Sequence, residues 1–189
     1  MEGRGAIMEV RITELPELIY LNDFKGDYHA FINAVYESFE RDFIKHRTKF
    51  GSHSLGFKRK PLFQDRAYTF YHMTHKGENE SERVPDLRRC ERMPWARPTI
   101  ENVEKYGLRF WEQERNGKHR ICIWLSVDNG DNYFVILDVR KSYVLLWTAF
   151  FADYPHQLKK KEKEYISWKE NHANTCTPEE LVREIVDKI

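Results

Sequence analysis

Cysteine is scarce. The three that occur in 189 residues, Cys90, Cys122 and Cys176, are too scattered and odd in number for a disulfide framework, and no CxxC pair offers a zinc site. A chain of this kind fits a reducing cytoplasm. No run approaches the ~18 consecutive apolar residues of a membrane-spanning helix, and the opening MEGRGAIMEV lacks the apolar core of a signal peptide, so neither membrane nor export is expected. Several chemical signatures are missing too. The absence of GxxxxGK[ST], of GxGxxG after a strand, of GxSxG and of HExxH argues against an NTPase, a dinucleotide enzyme, a lipase-type hydrolase and a zincin. No metal and no cofactor are expected. Nor is there a surplus of charge: 31 Lys and Arg face 30 Asp and Glu, so binding to nucleic acid has to come from local clusters.

What is present is apolar and aromatic. At 41% apolar and 14% aromatic residues, the chain can bury one good core, as one domain or two apposed lobes. Residues 8–20 alternate weakly and break at Pro16, as an edge strand or a loop. From Asp27, an expected N-cap, Tyr28, Phe31, Ile32, Val35, Phe39 and Phe43 recur at three- and four-residue steps, which predicts an amphipathic helix over about 27–47. Phe57–Phe63 and Ala67–Thr74 are aromatic runs between Gly and Pro and read as strands. His75–Pro85 is polar and aperiodic, a surface loop at a boundary. Residues 1–66 thus form an N-terminal lobe of a helix plus strands.

The second half, 67–170, carries the clearer pattern. Short helical segments at Asp86–Met93 and Pro98–Tyr106 precede four runs rich in aromatic and β-branched residues: Leu108–Glu114, His119–Val127, Tyr133–Asp138 and Tyr143–Phe150. Asn116-Gly117 and Asn129-Gly130 separate the first three and predict tight hairpins with positive φ. His156–Lys169 is the helix expected to cover the sheet, and 171–189 a helical tail. The fold class is α+β: helix, four-stranded antiparallel meander, closing helix.

Three groups of side chains could carry chemistry. Arg83, Arg88, Arg89, Arg92 and Arg97, interleaved with Trp95, could form a phosphate cradle with a stacking face, or a solvated helix face around a buried Trp95. His156, Lys159, Lys160 and Lys163 fall on one stripe of the closing helix. They could supply the acid, base and fixed charge that RNA transesterification needs, or simply face water. His72 lies in the aromatic run YTFYHMT, where a lone histidine is usually a hydrogen-bonded core or edge residue, and its neighbour His75 is expected at the surface. Tyr143 and Thr148, five apart, face opposite sides of a regular strand unless a bulge intervenes.

The element order, with RVPDLRRCERMPWARPTIEN, RICIWLSVDNGDNYFVILDVRKSYVLLWTAF and HQLKKKEKEY, resembles the phage-encoded barnase–EndoU–colicin–RelE-like nucleases over about residues 67–168. The resemblance implies a RelE- or barnase-like sheet and a prophage- or toxin-type endoribonuclease. Such an enzyme would cleave RNA, tRNA or mRNA among the targets, through a 2′,3′-cyclic phosphate and without metal. It places the site at His72, Arg89, Arg92, Arg140, Tyr143, Thr148, His156 and Lys160; Arg97 of the arginine run and Lys163 of the helix stripe are further candidate phosphate contacts. An antitoxin or immunity protein is an implied partner. The rival reading is a non-catalytic RNA- or protein-binding module; a Trp-based interface would expose Trp95, Trp111 or Trp168. If the chain cleaves RNA, cleavage should survive EDTA, because no ligand-spaced Cys or His cluster is present; loss on chelation with rescue by Mg²⁺ would place it in another enzyme class.

Overall fold

The computed structural model describes residues 7–174 and 176–189. Helix α1, Tyr28–Phe39, starts where Asp27 accepts a hydrogen bond from the Ala30 N–H and continues as a π-helical turn over Glu40–Lys45. A two-strand turn follows, β1 (Lys49–Phe50) and β2 (His53–Phe57). Next come α2 (Tyr68–Thr74), a small hairpin of β3 (His75–Lys76) and β4 (Val84–Pro85), and the short helices α3 (Leu87–Glu91) and α4 (Ala96–Glu101). Strands β5 (Arg109–Arg115), β6 (Lys118–Ser126), β7 (Asn132–Val139) and β8 (Val144–Phe151) then pair consecutively and antiparallel. Helices α5 (Pro155–Glu170) and α6 (Pro178–Lys188) close the chain.

The sheet runs further than the last four strands. Three residues of β2, Leu55 to Phe57, pair in parallel with Val144 to Leu146 of β8, giving one six-stranded mixed sheet in the order β1-β2-β8-β7-β6-β5. One face packs Ile121, Ile123, Val135, Leu137 and Leu146 against Phe31, Val35 and Phe39 of α1 and Leu181, Val182 and Ile185 of α6. The residues at 178–188 are therefore part of the core rather than a tail. The other face gathers Trp111, Cys122, Trp124, Phe134 and Ile136 under Leu158, Tyr165 and Trp168 of α5. On that side the helix is fastened by Glu164, which accepts from the Gln113 side-chain amide of β5 at 2.5 Å and from the Arg115 guanidinium at 3.2 Å.

Several sequence expectations need correction. Ala67–Thr74 is not a strand: Tyr68–Thr74 is helical, and all seven side chains are buried. Its aromatic content raises strand propensity, but here the segment packs as a helix along the edge of β8, so tertiary packing overrides propensity. Phe57–Phe63 is likewise no strand; β2 ends at Phe57 and the chain turns away. His75 is buried rather than at the surface, because His75–Pro85 folds into the β3–β4 hairpin over Tyr71 and Phe63. Asn116 and Gly117 have φ of 52° and 69°, the two positive values of a tight hairpin. At the second hairpin only Gly130 is positive, at 92°; the Val127–Asp131 closure spans a three-residue loop that needs one left-handed residue after its turn.

Trp95 and Trp111 are buried, which removes them from any exposed binding face. Trp95 packs edge-on to Tyr133 and donates its indole N–H to the Pro16 carbonyl at 3.0 Å, tying the N-terminal segment to the core. Trp95→Ala should cost about 3–5 kcal/mol of stability in urea unfolding, the range for a fully buried large aromatic.

Candidate functional site

The site begins with a strand edge. Since β2 pairs with only the first residues of β8, the outer edge of β8 beyond Leu146 has no strand partner. Helix α2 takes that place. Its first N–H groups, those of Tyr68 and Thr69, donate to the carbonyls of Arg59 and Lys58 at the end of β2. On the β8 side, the Thr148 hydroxyl donates to the His72 carbonyl at 2.9 Å. The pairing of β7 with β8 shifts at Ile136/Leu137 and leaves Trp147 as an extra residue, a β-bulge. The bulge restores parity, so by alternation Tyr143, Leu145, Trp147 and Thr148 share the α5 side of the sheet.

These constraints put the His72 imidazole between two rings, 4.5 Å from Tyr68 and 5.6 Å from Trp147. Each ring carries a cation: Lys58 Nζ lies 4.3 Å from the Tyr68 centroid and the Arg120 guanidinium 4.4 Å from that of Trp147. Arg89 donates to the carbonyls of His72, at 3.4 Å, and His75, at 3.1 Å. Among the described residues the one acid touching the imidazole is Glu80, 3.3 Å from Nε2, and its side chain is 60% exposed. Burial lowers the His72 pKa from 6.5 to about 4, and Arg83, Lys58, Arg89 and Arg120 push it the same way. His75 is held at about 4 chiefly by burial, with Arg83 and Arg89 adding to it.

The cations are unequally satisfied. Arg89 lies beside Asp86 at 3.5 Å, whereas Lys58 and Arg83 have no ion pair among the described residues. The Nε donors of Arg83 and Arg120 are both buried without a hydrogen-bond partner, and the carboxylate nearest Arg120 Nε, Asp138, stands off at 3.8 Å. Buried, unpaired guanidinium donors around a neutral imidazole form a seat for an anion. A metal ion would be repelled there, and among the described residues no group of three or more His, Cys, Asp or Glu is gathered that could hold one.

The other sequence candidates are dispersed. Arg92 is buried against Glu91 and Asp131 and stacks on Phe151 at 4.1 Å, a structural role. Arg97 pairs with Glu101 at 2.9 Å and Asp42 at 3.7 Å. Arg140 binds Asp138 at 2.7 Å, and Tyr143 is exposed beside it at the β7–β8 turn. His156 is exposed in the first turn of α5, stacked on Tyr154, and Lys160 and Lys163 face solvent. The buried lysine of that helix is Lys161. Sequence reading passed over Lys58, Tyr68, Arg120 and Trp147. For Arg120 a signal existed, a charged residue at the period-two position shared by Cys122 and Trp124 on one face of an otherwise apolar strand. No family model, curated protein or solved structure matches the chain.

Proton linkage at this centre is measurable. Both imidazoles are neutral in the fold and gain protons near pH 6.5 once unfolded, so stability is full above that pH and is lost as pH falls from 6.5 toward 4. At pH 5 the loss is about 2 kcal/mol per imidazole. Urea unfolding at pH 7.5 and 5 should show the His72→Gln variant losing less stability on acidification than the wild type; equal losses would mean that His72 is already protonated in the fold.

Proposed function

We propose that this chain binds single-stranded RNA and cleaves it without metal, seating the scissile phosphate at the His72 centre. The observation that carries the reading is the convergence of unpaired cationic donors on a buried, neutral imidazole. Neutral His72 accepts the ribose 2′-OH proton as that oxygen attacks phosphorus. Arg83, Arg120 and Lys58 stabilise the charge that builds on the phosphorane oxygens. The P–O5′ bond then breaks, leaving a 2′,3′-cyclic phosphate and a 5′-OH. The proton for the departing oxygen comes from solvent water, since His156, exposed at the start of α5, is not brought to this centre. Binding of the phosphate raises the affinity of His72 for a proton, so substrate itself prepares the base for its task.

On this reading the helix, the four consecutive antiparallel strands and the closing helix form a RelE- or barnase-like nuclease of phage or toxin type, kept in check in the cytoplasm by an antitoxin or immunity protein. Its phosphate site lies at the β8 edge rather than on the exposed stripe of α5. Purified protein should therefore produce new ends in total RNA and tRNA in EDTA, and a single 2′-deoxy substitution should block cleavage at that position. Arg120→Ala should lower the rate about a hundredfold or more, as loss of one transition-state donor does, while Lys160→Ala and Lys163→Ala should stay within severalfold of wild type. Retained RNA binding with no cleavage by the wild type would instead favour a non-catalytic RNA-binding module. Undiminished cleavage by both His72→Ala and Arg120→Ala would remove the site altogether.

A further inference from the structure

A second cluster of unmatched donors forms where the chain leaves one face of the sheet for the other. Helix α5 covers the face of Trp111 and Trp124, α6 packs into the core of the opposite face, and the crossing passes the Arg109 end of β5, the outermost strand. A hollow of about 380 Å³ remains there, walled by Phe110, Tyr165 and Trp168 and carrying Arg109, Lys169 and Glu104. The Arg109 guanidinium lies 5.2 Å from the Trp124 ring centroid and 5.0 Å from that of Tyr165. A ring face attracts the charge but does not replace a hydrogen-bond acceptor. Arg109 Nη1 is accordingly buried with no acceptor among the described residues, and so is the indole N–H of Trp168. Tyr165 links the two, its ring 6.4 Å from that of Trp168.

Both orphaned groups are donors, so the partner they lack is an acceptor. The charges of the wall set its charge: Arg109 and Lys169, against the exposed Glu104, leave one net positive charge, which a monoanion matches and a phosphate dianion exceeds. Lys169 is partly engaged, its Nζ donating to the Asn174 carbonyl at 3.4 Å, so the guanidinium is the principal anchor, and its fork fits a carboxylate. The three rings of the wall suit a planar apolar body, and the volume stands at the low end of ligand-sized cavities. A lone water would meet a donor but leave those rings uncovered. We propose that this hollow binds a small aromatic carboxylate, with the carboxylate on Arg109 and the Trp168 indole N–H and the ring system against the aromatic wall. The inference stands apart from the RNA reading, since none of the residues that surround His72 lines this hollow.

The test uses 2-naphthoate as probe and 2-naphthamide as its neutral isostere, with binding read by calorimetry and by proton–nitrogen spectra of the five indole N–H groups. The wild type should bind naphthoate saturably and about tenfold or more tightly than naphthamide, the difference expected of a charge-assisted fork. Of the indole signals, the one missing from Trp168→Phe should move most, because a new acceptor bonds that N–H. Arg109→Met should weaken naphthoate about tenfold or more and leave naphthamide within about twofold of wild type. Trp168→Phe, which keeps a ring in the wall but loses the donor, should weaken both probes severalfold. No saturable binding of naphthoate by the wild type, or equal affinity of the wild type for the two probes, would overturn the site. So would an unmoved Trp168 signal at saturation, or wild-type naphthoate affinity in Arg109→Met. The first two outcomes are read on the wild type alone, so the proposal stays open to refutation even if a variant folds poorly.

Discussion

A β-strand edge presents unpaired N–H and C=O groups that must be matched by something. In this protein β8 gives the first part of its outer edge to β2 and the remainder to α2, and the candidate site is a consequence of that division. Had β2 run three residues further, the place of His72 would be taken by strand. Because it stops at Phe57, the chain turns at Lys58 and re-enters as a helix whose first N–H groups are capped by the carbonyls just passed. Thr148 then fixes the far end of the helix by its bond to the His72 carbonyl. One short strand thus sets the positions of Lys58, Tyr68 and His72 relative to Trp147.

That geometry explains why the imidazole is neutral and why the cations around it persist. Buried guanidinium groups are costly unless matched, and the fold matches them partially: Asp86 lies by Arg89 and Asp138 by Arg120 and Arg140. The rings of Tyr68 and Trp147 offer their faces to Lys58 and Arg120, an attraction that needs no counter-charge. What is left over is a set of donors with no protein acceptor. Such a surplus at one place is costly to the isolated fold and favourable only when an anion arrives, the pattern expected where binding rather than stability has set the residues.

The sequence made the regular parts legible and hid the irregular ones. The four strands from Arg109 to Phe151 stand within a residue or two of their expected limits, because period-two alternation and two Asn-Gly turns are local signals. The helix from Tyr28 and its Asp27 cap were equally plain. YTFYHMT was not, since its helical state depends on a partner strand some seventy-five residues later, and no local pattern encodes the edge it covers. The same distance hid the site. His72, Arg89 and Thr148 could be named from resemblance, but Lys58, Tyr68, Arg120 and Trp147 join them only through the bulge and the β2–β8 pairing. The arginine run misled in the opposite direction: Arg92 and Arg97 are spent on Asp131, Glu101 and Asp42 inside the fold.

A formal charge of +1 looks poorly suited to a polyanionic ligand, yet the sum conceals how the charges are placed. Asp42, Asp86, Glu101, Asp131, Asp138 and Glu164 are each taken up by arginine or lysine within the structure, so those acids cancel cations that were never available to a ligand. Lys58 and Arg83, beside the imidazole, belong to the cations left without an acid among the described residues. A distribution of this kind gives little long-range steering, because at physiological salt the field of a near-neutral body is screened within about 8 Å. Attraction for an anion is then confined to short range, where Lys58 and Arg120 lie over the rings of Tyr68 and Trp147.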